Sequence, residues 1–279
     1  MRNKYRLLKV KGDDCMDLHD YKNVAENYDL YVDIVCPEGS ALNEKLCVAF
    51  HLELAKMYGD RGILDIGCGT GCTMIPLLEK GYNVTGLDIS QEMINVLDRK
   101  LVNKELKGEL ICSDMAEFKT NKEYSLVIMP RSAFIHVKER EKQIRALKNI
   151  NKHLCAGGII SINTVVGTFE YISNEPDGGS KYLRFEYINA NGKKEKVYNQ
   201  FEYNYETQVS TGKWIFEEYD KSDNVADIKE CLISIRFAQK AEIENLFELC
   251  GFKVIGIYGG YDKRECVYPG NLVWVARKV

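Results

Sequence analysis

A glycine-rich turn at residues 65–71 constrains the fold of this chain more than any other feature. The run Asp65-Ile-Gly67-Cys-Gly69-Thr-Gly71 follows a short apolar segment and precedes a segment with helical character. Glycines at this spacing let the backbone turn tightly and let a ligand approach the main chain closely. The unpaired N–H groups at the start of the following helix also face such a ligand. The run therefore predicts a strand, a turn and a helix that together bind a ligand.

Short apolar segments alternate with amphipathic ones from about residue 60 to residue 165. The apolar segments predict strands at 62–66, 82–87, 109–112, 124–129 and 159–162. Helical periodicity falls between them, with Ser90 as the expected N-cap of one helix. Such alternation is typical of parallel βαβ units, so the sequence predicts an α/β fold.

The pattern changes between about residues 166 and 231. Alternating runs predict antiparallel strands, and Asn191-Gly192 and Thr211-Gly212 are the expected hairpin turns. A helix is predicted at 240–249, and two closing strands at 252–258 and 272–279. Four regions are therefore expected. They are a helical lid at 1–58, a core at 59–165, an inserted β-sheet at 166–231 and a segment completing the core at 232–279.

Charge and cysteine spacing argue against several partners. The net charge is −3, whereas a nucleic-acid-binding protein usually carries a basic face. The ten cysteines include no C-x-x-C pair and no Cys/His zinc spacing, so no metal site is expected. No apolar run approaches the roughly 20 residues of a membrane helix, and no apolar signal segment follows Met1. We expect a cytoplasmic protein with reduced thiols and no membrane partner.

Three acids follow three successive predicted strands, namely Asp65, Asp88 and Asp114. Ligands of open α/β sheets bind at the carboxyl ends of such strands. Asp88 is suited to accept hydrogen bonds from ribose hydroxyls. Asp114 is suited to accept one from the amino group of adenine, and Met115 would cover the adenine ring. Asp65 would repel a pyrophosphate but suits a ligand that carries an ammonium and a sulfonium. Each acid alone also fits a helix cap or a loop charge, but the set of three favours a binding site.

The glycine run and these acids resemble class I S-adenosylmethionine (SAM)-dependent methyltransferases over nearly the whole chain. The resemblance implies a Rossmann-like seven-stranded, mainly parallel sheet with helices on both faces, plus the inserted antiparallel β-sheet. It implies SAM as cofactor and S-adenosylhomocysteine as its product, with Asp65 and Gly67 near the methionine end. The expected cofactor-binding residues are Tyr28, Asp65, Gly67, Cys68, Gly69, Asp88, Ile89, Asp114, Met115 and Pro130.

A narrower resemblance, to amino-sugar N-methyltransferases, concerns the tyrosine-rich N-terminus, the β insertion and the closing hairpin. It implies a catalytic histidine at His136 and an active-site tyrosine at Tyr21. A neutral imidazole can accept a proton near neutral pH, although a packing role for His136 fits the sequence equally well. Tyr21 and Tyr28 share one helix face that can form a lid beside a sulfonium. Arg131 and Phe134 are candidate substrate contacts.

The favoured function is methyl transfer from SAM to a small-molecule nucleophile, preferably an amine, by in-line displacement. Three alternatives remain open, namely a protein, peptide or RNA methyltransferase, a catalytically silent SAM-binding protein, and a nicotinamide-dependent dehydrogenase. The expected partner is a small-molecule substrate and not nucleic acid. The aromatic residues of the insertion fit either a substrate wall or the surface of a homodimer.

Overall fold

A computed structural model of the chain describes residues 25–29, 43–167, 179–189 and 191–279. Tyr21 and most of the expected N-terminal lid lie outside these residues. The helices are α1 (Glu44–Tyr58), α2 (Met74–Glu79), α3 (Gln91–Asn103), α4 (Arg140–His153) and α5 (Lys240–Leu249), with short 3-10 helices at Ala25–Asn27 and Ala133–His136. The strands are β1 (Ile63–Ile66), β2 (Val84–Asp88), β3 (Glu109–Cys112), β4 (Tyr124–Met129), β5 (Leu154–Val166), β6 (Tyr182–Ile188), β7 (Lys194–Asn204), β8 (Val209–Tyr219), β9 (Val225–Arg236), β10 (Phe252–Tyr258) and β11 (Gly270–Lys278).

The central sheet has seven strands in the order β10-β11-β5-β4-β1-β2-β3. Strands β1 to β5 pair in parallel, and β11 lies antiparallel between β5 and β10. Every residue of β1 and β4 is buried. Strands covered by helices on both faces have this continuous apolar character. The predicted Rossmann-like sheet with one antiparallel strand is thus confirmed.

Hydrophobic residues fill both faces of this sheet. On one face α4 and α5 contribute Leu147 and Phe247 to a cluster that contains the fully buried Trp274. On the other face α1 and α3 contribute Phe50 and Leu97. The expected helices on both faces are present because each amphipathic helix buries one apolar stripe against the sheet. Ser90 caps α3 as predicted, since its Oγ accepts a hydrogen bond from the Met93 N–H at 3.2 Å.

The insertion forms a four-stranded antiparallel sheet in the order β6-β7-β8-β9. Asn191-Gly192 lies in the turn between β6 and β7, as predicted. The prediction of a turn at Thr211-Gly212 was wrong, because both residues lie inside β8. Gly212 is needed there for close packing, since a Cβ would lie 2.1 Å from the carbonyl oxygen of Gln200. The actual turn includes Gln208, whose φ is +58°.

Candidate active site

A cleft of about 1140 Å³ opens at the carboxyl ends of β1, β2, β3 and β4. Because β2 and β4 flank β1, helices leave the sheet in opposite directions here and a crevice forms. Most of the predicted site residues line it, namely Tyr28, Asp65, Gly67, Cys68, Gly69, Asp88, Ile89, Asp114, Met115, Pro130, Arg131 and His136. The other residues that line the cleft were not predicted from the sequence; they are Asp29, Glu44, Thr70, Cys72, Thr73, Leu87, Met93, Ser113, Ala133, Val137 and Lys142.

The glycine turn forms the floor of the cleft. Gly67 has a φ of +70° and Gly69 a φ of +51°, both in the left-handed region that disfavours other residues. A Cβ on Gly67 would lie 2.5 Å from the Cβ of Ala133, so the turn touches the segment that follows β4. A Cβ on Gly69 would meet no atom closer than 4.0 Å. The backbone at Gly69 is therefore open to a ligand.

Asp65 is a fully buried carboxylate at the end of β1. Neither of its oxygens has a hydrogen-bond partner among the described residues. Burial raises its pKa well above the ordinary value, and the nearby charge of Asp88 raises it further. A buried anion without a partner is unfavourable, and a cationic group in the cleft would relieve that cost. The residue therefore fits the ammonium of an amino-acid ligand.

Asp88 is held in one orientation by two backbone amides. Its Oδ2 accepts a hydrogen bond from the Gly69 N–H at 2.8 Å, and its Oδ1 from the Ser90 N–H at 2.9 Å. Burial raises the pKa of this carboxyl, and the amide hydrogen bonds oppose that rise. Each carboxylate oxygen can accept a second hydrogen bond. The arrangement fits a vicinal diol such as that of ribose.

Asp114 faces the cleft just after β3. Its Oδ1 accepts a hydrogen bond from the Ala116 N–H at 2.7 Å, and its Oδ2 lies 2.8 Å from the Lys142 Nζ. Lys142 comes from α4, and nothing in the sequence linked it to Asp114. The next residue, Met115, packs partly against the core. Asp114 thus offers a hydrogen-bond acceptor to a flat ring, and Met115 offers an apolar surface to the same ring.

Two consecutive non-glycine residues with positive φ follow β4. Arg131 has a φ of +54° and Ser132 a φ of +67°. The Tyr261 hydroxyl accepts a hydrogen bond from the Arg131 N–H at 2.7 Å, and Ser132 Oγ donates to Asn163 Oδ1 at 2.6 Å. Such strained turns persist only where surrounding contacts fix them.

The 3-10 helix Ala133–His136 divides its side chains between the cleft and the core. His136, at its end, lines the cleft. Phe134 is only 1% exposed and packs in the hydrophobic core. Phe134 is not among the residues that line the cleft, and its contact with a substrate stays a prediction.

Tyr28 and Asp29 close one side of the cleft. Tyr28 packs against Met93 of α3 and also against the apolar face of the inserted sheet. Asp29 accepts a hydrogen bond from Thr70 Oγ1 in the glycine turn and pairs with Lys100 of α3. The segment before the core is thus tied to the glycine turn. Tyr21 lies outside the described residues, and its role stays a prediction.

The thiols near the cleft are not activated. Burial raises the pKa of Cys68 and raises that of Cys72 to about 11. Within the part of the chain that the structure describes, no group of three or more His, Cys, Asp or Glu side chains is arranged to hold a metal. Across the same residues, no helix is both long and apolar enough to cross a membrane.

Comparison with known proteins agrees with this geometry. Residues 63–158 match the family model of a methyltransferase domain. The cypemycin N-terminal methyltransferase of a Streptomyces species is 32% identical over 98 residues, which are 35% of this chain and 39% of that protein. The chain thus spans about two fifths of the length of this relative.

Solved structures resemble the chain over a greater length. A SAM-dependent methyltransferase from Clostridium acetobutylicum superimposes with a TM-score of 0.77 and 16% identity, over 91% of this chain and 98% of that one. The sugar N-methyltransferase KedS8 from a Streptoalloteichus species gives a TM-score of 0.66 and 17% identity over 100% of both chains. At these identities the structures establish the fold. Residues 63–158 match a methyltransferase domain, and the chain has the Rossmann-like fold of these solved methyltransferases.

Proposed function

We propose that this chain transfers the methyl group of SAM to an amine of a small molecule. The observation that carries the proposal is the buried Asp65 carboxylate, which lies in one cleft with Asp88 and Asp114. These three acids match the ammonium, the ribose diol and the adenine amino group of SAM. A pyrophosphate cofactor would meet only negative charge at Asp65. The amine is supported by the names of two similar proteins, an N-terminal methyltransferase and a sugar N-methyltransferase.

When bound, SAM supplies an electrophilic methyl group on a sulfonium. The chain's own contribution is alignment and the exclusion of water. Asp88 and Asp114 fix the nucleoside, and the open backbone at Gly69 lets the ligand approach the turn. Tyr28 covers one side of the cleft and offers an electron-rich ring to a cation.

His136 lies in the segment after β4 that borders the same cleft. In the proposed reaction its imidazole accepts a proton from the ammonium form of the acceptor, so that the neutral amine nitrogen attacks with a free lone pair. A carboxylate acceptor would need no base, because it is already deprotonated. A hydroxyl acceptor would need His136 to remove its proton as the oxygen attacks. Tyr21 is kept as a second candidate for the acceptor side.

The proposal is tested by following an isotope-labelled methyl group from SAM into a cell extract. The extract is separated into small-molecule, protein and RNA fractions. The expected result is label in the small-molecule fraction. The labelled product should be heavier than its precursor by one methyl group, and that group should be on nitrogen. Label in protein or RNA would overturn the small-molecule assignment. Absence of transfer by a protein that binds SAM would leave either an extract without the acceptor or a catalytically silent binder.

Replacing Asp65 with asparagine is expected to stabilise the protein without its cofactor. Because burial raises the pKa of Asp65 in the folded state, the unfolded chain releases this proton more easily. In the wild type, the protonated Asp65 carboxyl stabilises the folded state fully below the ordinary carboxyl pKa of about 4, and this stabilisation is lost as the pH rises through the raised pKa. The free energy of unfolding of the wild type should therefore fall, relative to that of Asp65→Asn, as the pH rises.

Urea denaturation over a pH series measures this difference. The same variant should bind S-adenosylhomocysteine about tenfold more weakly, because the ammonium loses its charged partner. Asp98→Asn, at an exposed position on α3, is the matched control. If the free energy of unfolding has the same pH dependence in the wild type and in Asp65→Asn, burial does not raise the pKa of the Asp65 carboxyl.

A further inference from the structure

Arg131 brings a positive charge into the end of the cleft that holds the glycine turn. Its side chain is 13% exposed, and it lies 3.8 Å from Glu44 of α1. The cleft is lined by this half-buried cation as well as by the buried anion Asp65.

The backbone places Arg131 close to the glycine turn. β1 and β4 are neighbours, with Asp65 opposite Ile128, three residues before Arg131. Two residues after Arg131, Ala133 touches Gly67 closely enough to exclude a Cβ there. The two charged side chains thus belong to adjoining segments at one end of the cleft.

The pKa of the Cys72 thiol is affected by the charges of Arg131, Asp65 and Glu44. Burial raises its pKa, the positive charge of Arg131 opposes that rise, and the charges of Asp65 and Glu44 add to it. All three charged groups therefore lie within electrostatic range of one sulfur that lines the cleft.

We propose that Arg131 binds the carboxylate of the amino-acid end of SAM, while Asp65 binds the ammonium on the same carbon. This inference rests on the proposed function and assigns Arg131 to the cofactor in place of the acceptor. An α-amino acid carries both charges one bond from a shared carbon, so it needs an anion and a cation side by side. A guanidinium can hold a carboxylate through two parallel hydrogen bonds.

Tyr261 and Asn163 are positioning residues in this proposal. Tyr261 is buried, and its hydroxyl fixes the Arg131 amide, while Asn163 fixes Ser132. Together they hold two left-handed residues that would otherwise relax. The turn therefore keeps Arg131 beside the glycine turn, which Ala133 contacts at Gly67.

The test compares two ligands by isothermal titration calorimetry. S-adenosylhomocysteine carries the carboxylate, and its decarboxylated counterpart keeps the adenosine, the thioether and the amine. The wild type should prefer the carboxylate ligand by about tenfold or more. Arg131→Met should bind both ligands about equally, and Tyr261→Phe should lose part of the preference.

Arg277→Met is the matched control, because Arg277 is exposed and pairs with Ile159, away from the carboxyl end of β5. It should keep the wild-type preference. If Arg131→Met does not fold, Arg131→Lys is measured instead, and it should lose most of the preference because an ammonium lacks the two-pronged geometry.

Three results would overturn the inference. The wild type could bind the two ligands equally, or the Arg131 variant could retain the full preference. The Arg131 variant could also keep the preference while raising the KM of the acceptor, which would assign Arg131 to the acceptor. Failure of the wild type to bind either ligand would be different, because it would remove the proposed function itself.

Discussion

Asp88→Ala is expected to weaken the binding of S-adenosylhomocysteine by about 30- to 1000-fold, which corresponds to about 2–4 kcal/mol. The variant loses the charged acceptor for the ribose hydroxyls. It also leaves the N–H groups of Gly69 and Ser90 without the carboxylate that now accepts from them. The glycine turn would then lose the hydrogen bond that holds the Gly69 backbone in position. Titration calorimetry with the purified variant measures the effect.

Two further variants separate binding from folding. Asp88→Asn keeps one oxygen for a backbone amide but removes the charge, so its affinity should fall between those of wild type and Asp88→Ala. Asp98→Ala changes an exposed acid on the neighbouring helix and should bind normally. Wild-type affinity in a folded Asp88→Ala protein would remove Asp88 from the cofactor site.

His136→Ala is expected to lower the rate of methyl transfer by about 100-fold or more while the affinity for S-adenosylhomocysteine changes by less than about threefold. The reason is that a proton acceptor acts on the amine during the reaction and contributes little to holding the nucleoside. Single-turnover kinetics with the identified acceptor, combined with calorimetry, distinguish the two quantities.

His153→Ala is the matched histidine control. His153 ends α4, where its ring packs 4.6 Å from that of Phe118, and it does not line the cleft. Its loss should lower the melting temperature and leave turnover per folded molecule unchanged. If His136→Ala turns over as fast as His153→Ala, the imidazole of His136 supports the structure and is not the base.

The central sheet was predictable because its signals are local. A strand buried on both faces is a short apolar run, and a tight turn into a helix requires glycine at Gly67 and Gly69. Acids placed after successive parallel strands must meet at one edge, whatever the rest of the chain does. The positions of Asp88 and Asp114 in the cleft therefore followed from the order of the strands alone.

The insertion was harder to predict because its signals are ambiguous. The strand β9 was not predicted, because its first residues, 225–230, show no apolar–polar alternation and five of these six residues are exposed. Gly212 was taken for a turn residue although it sits in β8, where it lets the backbone of β7 approach. A glycine in a strand and a glycine in a turn look alike until the neighbouring strand is known.

The sequence by itself determined the fold class, the glycine turn and the acids that line the cleft, since each depends on residues close together in the chain. Only the tertiary structure decided which distant residues complete the site. Tyr261 meets Arg131 across 130 positions, and Lys142 meets Asp114 from another helix. The direction in which the short 3-10 helix points His136 and Phe134 was also decided there. These contacts depend on how the strand ends and helices pack together, and no spacing along the chain records that packing.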